Sequence, residues 1–280
     1  MVNALKRITV ESLLSIPLED AAETIVGFLK SYFAGAGAEK AVVGLSGGLD
    51  SSVTLRLLVD ALGANKVTAA IMPDTRVTPP EDTRDAAELA GSLGVEYFII
   101  PIDTVVDSYS VIPGFDAGNR LATGNLRARI RMNILYYIAN RLNGIVVGTG
   151  DRSELLLGYF TKYGDGGVDV LPLACLYKTQ VRELGRRLGL PARILGKPSS
   201  PRLWKGHLAE EEIGLSYEAV DLVFYSLIDL GLSISEAVDA TGLPVEVFER
   251  VLSLHRRSRH KRRLPPFPSL PWLQEPVKEI

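Results

Sequence analysis

Four short apolar runs, AVVGL (41–45), VTAAIM (67–72), VEYFIIPI (95–102) and GIVVGT (144–149), alternate with longer stretches of helical periodicity. That alternation constrains the fold more than any other feature of the chain. The runs are rich in Val and Ile and apolar along their length, as strands are when both faces are covered. Between them, SSVTLRLLVDALG (51–63) closes on Gly63, and PEDTRDAAELAGSLG (80–94) opens with Pro and acids and closes on Gly94. A third, longer pattern runs over 119–144. These are helix start and stop signals. Strand and helix in turn predict a doubly wound, mostly parallel α/β sheet with helices on both faces.

After about residue 150 the strand signal fades. Segments 177–190, 216–231 and 243–263 read as helices, and 196–214 reads as a long mobile loop. The proline-rich end reads as an extended, packed tail. The expectation is one domain over 1–280, with a core at about 18–190 and a loop and helical C-terminal part at about 191–280.

The first strand runs into Ser46-Gly47-Gly48-Leu49-Asp50-Ser51-Ser52, and a helix starts at once. In open parallel sheets ligands sit at the carboxyl ends of strands, where a helix N-terminus offers free N–H groups and partial positive charge. Glycines let the backbone approach a polyanion, and the serines add hydroxyl donors. The loop has neither the lysine of G-x-x-x-x-G-K-[ST] nor the spacing of G-x-G-x-x-G. Asp50 would repel a phosphate, and a Mg²⁺ between them removes the conflict. The plain alternative is a glycine turn capped by Asp50.

SGGLDSS after a strand resembles the pyrophosphate-binding loop (PP-loop) of the N-type ATP pyrophosphatases, enzymes of adenine nucleotide alpha-hydrolase-like fold. They cleave ATP between its α- and β-phosphates and leave an adenylylated intermediate. GTGDRSELLLGYFTKYGDGGVDVLPLACLYKTQVREL (148–184) is similar to the signature of the NAD synthetases, and the resemblance extends from residue 41 to HKRRLPPFP at 260–268. It implies ATP- and Mg²⁺-dependent amidation of deamido-NAD (nicotinic acid adenine dinucleotide) to NAD, with release of AMP and pyrophosphate, by a homodimer. The synthetase features span most of the chain, so free ammonia is the expected nitrogen donor.

The resemblance also implies roles for particular residues. It places Gly44, Leu45, Ser46, Gly47, Gly48, Leu49, Asp50 and Ser51 on ATP, together with Thr149, Lys178 and Ser200. Asp50 and Glu154 match Mg²⁺ ligands, and Arg129, Lys162, Asp169, His260 and Lys261 match the deamido-NAD site. The plain alternatives are a solvated helix residue for Glu154 and an N-cap for Thr149, and Lys178 read alone is a surface residue. On the same terms YGDGGVD is a hairpin turn, and Arg127, Arg129 and Arg131 form a solvated helix face. Lys178 would supply the mobile cation that the first loop lacks. Where the family reads Gln-Thr-Asp, this chain has His207-Leu208-Ala209, so a base for ammonia stays unassigned.

A formal net charge of −2 gives no global attraction to nucleic acid or anionic membrane. HRRSRHKRR (255–263) is the one strong basic run, and no aromatic residues interleave it as a stacking platform requires. An RNA-binding protein using that run, or another PP-loop enzyme of the tRNA-modifying or GMP synthetase kind, is the competing reading. The single cysteine, Cys175, lies in the apolar run LPLACL and reads as buried and structural. One cysteine fits a reducing compartment, the cytoplasm. No apolar stretch approaches membrane-spanning length, and charges and Pro17 interrupt the N-terminus against a signal peptide.

Overall fold

The computed structural model describes residues 7–268, 270 and 272. Two helices, α1 (Val10–Leu14) and α2 (Leu18–Ala36), precede β1 (Lys40–Gly44). Then follow α3 (Leu49–Leu62), β2 (Val67–Ile71), α4 (Pro80–Ser92), β3 (Glu96–Ile99), α5 (Asp103–Ser108), α6 (Arg120–Arg141) and β4 (Gly144–Val147). Beyond the last strand come α7 (Arg152–Leu157), α8 (Lys178–Arg187), α9 (Ala192–Leu195), α10 (Ala209–Ile213), α11 (Tyr217–Phe224), α12 (Ile234–Thr241) and α13 (Val245–Arg257).

The strands form one parallel sheet in the order β3-β2-β1-β4. Ala41 pairs with Val67 and with Ile145, so the order reverses at β1 and a crevice opens beyond its carboxyl end. Side chains alternate between two apolar layers. Ala41, Val43, Val67, Ala69 and Ile71 pack with α2, α3, α4 and α8. Val42, Ala70 and Val146 face the other way, toward Val106 on α5 and Ile130, Ile138 and Ala139 on α6. A third cluster joins α1, α7 and α11–α13 through Leu13, Leu157, Tyr217, Phe224, Phe248 and Val251. The doubly wound sheet and the helical C-terminal part are therefore as the sequence predicts.

Several local expectations are corrected. β3 is an edge strand, and Tyr97 and Ile99 are exposed on it rather than covered on both faces. Apolar content alone does not separate an edge from a centre. Segment 196–214 is not a free loop: it holds α10, and His207 within it is buried. The expected helix at 216–231 is α11 followed by a π-helical turn at Tyr225–Asp229. YGDGGVD is a succession of turns joined to β4 by a single bridge, Val147 to Val170, and not a hairpin. Cys175 is exposed, its Sγ donating to the Pro172 carbonyl at 3.6 Å. The described part of the tail carries exposed apolar residues, Trp272 at 77%, rather than packing. The rest of that expected tail, and the first six residues of the N-terminus, lie outside the described residues. Among the described residues no helix is long and apolar enough to cross a membrane.

Candidate active site

The glycine loop bridges β1 and α3 at the sheet's crevice. Gly47 has φ +77°, and a Cβ there would lie 2.1 Å from the Asp82 carbonyl oxygen, so only glycine fits. The loop's own serines hold it open. The Ser46 N–H donates to Ser51 Oγ at 3.2 Å, the Gly48 N–H to Ser46 Oγ at 3.2 Å, and Ser52 Oγ to the Gly48 carbonyl at 2.7 Å. From the covering segment, Lys197 Nζ donates to the Gly47 carbonyl at 2.9 Å and pairs with Asp82 and Asp85 at 2.7 and 2.6 Å.

Asp50, in the first turn of α3, meets α7 and α8 in one cluster. Asp151 caps α7: its Oδ1 accepts the Glu154 N–H at 2.9 Å, and Glu154 Oε2 accepts the Asp151 N–H at 3.3 Å. Carboxylate oxygens of Asp50, Asp151 and Glu154 lie within 4.8 Å of one another. Lys178 Nζ, fully buried, sits 2.8 Å from Asp50, 2.7 Å from Asp151 and 2.9 Å from Glu154. Burial opposes the Lys178 charge, but Asp151, Asp50 and Glu154 outweigh it and hold its pKa well above the ordinary lysine value. Burial, and then the crowding of like charges, pushes Asp151 and Glu154 upward against the pull of Lys178.

Three carboxylates against one ammonium leave a deficit of positive charge when all are ionised. The donor set is all oxygen, as a hard divalent cation prefers. Asp50 Oδ1 is buried with no hydrogen-bond partner. These features fit Mg²⁺, with Asp151 beside the two ligands expected from sequence. Lys178 is neither mobile nor on the surface; it is locked among the carboxylates.

A cleft of about 610 Å³ runs from this cluster across the sheet edge. Its walls include Gly44, Leu45, Ser46, Asp50 and Ser51 from the loop, with Thr149, Glu154 and Ser200. Thr149 is not the N-cap of α7, a place taken by Asp151. Gly48 and Leu49 face a second hollow of about 60 Å³ behind the loop. The cleft is lined also by Arg129, Lys162, His260 and Lys261. Arg129 is exposed and donates to the Lys162 carbonyl at 3.3 Å. Lys261 Nζ holds the carbonyls of Gly158 and Phe160 at 2.7 and 2.6 Å. Asp169 is not among the lining residues: its carboxylate accepts from Tyr136 Oη at 2.9 Å and the Val146 N–H at 2.8 Å.

The covering segment is fastened down. Ser200 Oγ donates to the His207 carbonyl. Arg127, one of the three helix arginines, is buried rather than solvated; it pairs with Asp74 at 2.6 Å and donates to the Leu203 carbonyl at 2.9 Å. Arg131 donates to the Met72 carbonyl at 2.9 Å. His207 stacks on Trp204 at 3.4 Å, and its Nε2 lies 2.7 Å from Glu212 and 3.1 Å from Tyr159 Oη. Part of the basic run is also spent inside the fold. Arg262 donates to the Leu155 and Leu156 carbonyls at 3.1 Å, capping α7.

A glycine nest after the first strand, an acidic cluster beside it and a cleft at the switch point are the arrangement that the resemblance of SGGLDSS to a pyrophosphate-binding loop implies. The family model described as NAD synthase matches residues 21–265. The chain is 55% identical over 273 residues, 98% of its length and 99% of the relative's, to the NH(3)-dependent NAD(+) synthetase of Staphylothermus marinus. Among solved structures it is similar to an NMN synthetase from Francisella tularensis (TM-score 0.81, 34% identity, 91% of this chain and 100% of that one). It is also similar to an NH3-dependent NAD synthetase from Campylobacter jejuni (TM-score 0.77, 26% identity, the same coverage). The chain belongs to the NAD synthase family.

Proposed function

We propose that this enzyme is a ligase that amidates deamido-NAD to NAD with ATP and free ammonia, through an acyl adenylate. The observation that carries the reading is the convergence of Asp50, Glu154 and Lys178 beside the glycine loop, next to a cleft whose walls also include Arg129, Lys162, His260 and Lys261. On this reading ATP lies with its phosphates on Ser46–Ser51 and against Thr149 and Ser200. Asp50 and Glu154 would hold a divalent cation, which would supply neutralisation of phosphate charge.

Lys178 acts from behind the carboxylates, holding Asp50 and Glu154 in place and lessening their negative charge toward the phosphates. Arg129 and Lys162 orient the anionic acceptor so that its nicotinate carboxylate meets the α-phosphorus. Pyrophosphate leaves, ammonia adds to the acyl carbon, and AMP departs. The segment around Ser200–His207 shields the adenylate from water. Asp169 acts from outside the cleft, where its bonds to Tyr136 and Val146 steady the turn that carries Lys162.

We further infer a homodimer in the cytoplasm. Supporting the first are exposed aromatic residues, Phe28 and Tyr32 on α2 and Tyr137 on α6; supporting the second is the lone cysteine. Sedimentation velocity tests the dimer. Pyrophosphate and NAD formation from ATP, deamido-NAD and ammonium tests the reaction, with the nicotinate mononucleotide as a rival acceptor. No NAD from the dinucleotide, or strong preference for the mononucleotide, overturns the substrate assignment.

A further inference from the structure

The chemistry requires Glu154 on α7 and Lys178 at the start of α8 to meet Asp50 at the start of α3. Both α7 and α8 follow the last strand, so strand pairing does not set the angle between them. A buried polar chain does. The Lys178 N–H donates to Ser153 Oγ at 2.9 Å, and Ser153 Oγ donates to Asp221 Oδ1 at 2.5 Å. The other oxygen, Asp221 Oδ2, accepts the Thr179 N–H at 2.9 Å. Ser153 and Asp221 are fully buried, and neither lines the cleft.

Asp221 belongs to α11, in the helical C-terminal part. Its partners flank the residues that matter: Ser153 precedes Glu154, and Thr179 follows Lys178. Two donors converge on it, and a carboxylate offers an acceptor to each, which an amide of the same shape does not. Burial raises its carboxyl to about 7, a cost that an apolar side chain at this position would avoid.

We propose that Asp221 is a positioning residue for the adenylylation step: through Ser153 and Thr179 it fixes α7 against α8 so that Glu154 and Lys178 face Asp50. The inference rests on the ligase reading above. It gives α11 alone among the C-terminal helices a share in shaping the acidic cluster. The cleft residues Arg129, Lys162, His260 and Lys261 are untouched by this chain of bonds.

The test compares Asp221→Asn, Ser153→Ala and a control, Ala237→Gly, which loosens α12 in the same apolar cluster. Each is assayed well below its own Tm, by pyrophosphate release and NAD formation. Asp221→Asn is expected to lower kcat by about tenfold while KM for deamido-NAD stays within about twofold. Ser153→Ala is expected to lower kcat in the same direction, and the double variant to lose little more than the worse single, because both belong to one chain of bonds. The control keeps its kcat at an equal loss of Tm.

Asp221→Asn with kcat within about twofold of the parent, or falling no further than the control at equal Tm loss, overturns the proposal. If Asp221→Asn does not fold, Ser153→Ala decides by the same criterion. Turnover by the parent enzyme in the same assay separates failure of this inference from failure of the ligase reading.

Discussion

Lys178 Nζ lies 2.8 Å from Asp50 Oδ2, joining the first turn of the helix after β1 to the first turn of a helix far along the chain. The same ammonium contacts Asp151 and Glu154, so one cation holds three carboxylates in a buried place. Removing it as Lys178→Met leaves them unpaired, and breaking such a buried group costs about 3–5 kcal/mol. Urea denaturation is expected to show that loss, and added Mg²⁺ to restore part of it. A variant as stable as the parent without Mg²⁺ contradicts the arrangement.

Asp50→Asn and Glu154→Gln each remove an oxygen ligand of the cluster while keeping its shape. Turnover of ATP with deamido-NAD and ammonium is expected to fall at least about 100-fold in each, since several kcal/mol of charge stabilisation are at stake. Chelation of divalent cations should silence the parent enzyme to the same degree. Unchanged turnover in both variants removes the metal assignment.

Gly47 and Gly206 make a matched pair. Both have positive φ, but a Cβ at Gly47 meets the Asp82 carbonyl at 2.1 Å, while Gly206 has nothing within 4 Å. Gly206→Ala is expected to cost about 1–2 kcal/mol, the left-handed penalty alone. Gly47→Ala must displace backbone, and pyrophosphate release should be lost even where circular dichroism shows a folded chain.

Lys197→Met withdraws the hydrogen bond to the Gly47 carbonyl and leaves Asp82 with Arg202, and Asp85 with Arg193, as their remaining cationic partners. KM for ATP is expected to rise about tenfold, with KM for deamido-NAD nearly unchanged. Steady-state kinetics with each substrate varied in turn reads the difference.

Burial works against the Asp74 charge, but hydrogen bonds from Arg76 and Arg127 outweigh it and hold its pKa at about 2, below the ordinary 3.8. The folded value is depressed, so the stabilisation is full above the unfolded pKa and fades as pH falls from about 4 to about 2. Roughly 2 kcal/mol is involved. In denaturant titrations the gap between parent and Asp74→Asn should be widest near neutrality and shrink through that window.

How much of this the sequence made legible varies with the kind of force involved. Periodicity located the sheet and six of the thirteen described helices, α3, α4, α6, α8, α11 and α13, and missed α2, which is 19 residues long. It overlooked α12, although Ser233 and Glu236 form a capping box there, a short pattern that can be read directly. The same pattern, Asp151 with Glu154, could have brought Asp151 into the acidic cluster. Residue likeness named Asp50, Glu154 and Lys178 and set the two carboxylates on one metal, without revealing that Lys178 sits between them. Arg127 with Asp74, and Asp221 with Ser153, were invisible, because pairing across the fold leaves no mark of spacing along the chain. Cys175 misled because an apolar run was read as interior when the thiol stands at the surface.

Lys197 belongs to the stretch roofing the cleft, yet its ammonium clasps the floor at Gly47. The nest that would cradle pyrophosphate is therefore shaped in part from above, and neither layer can be remodelled without the other.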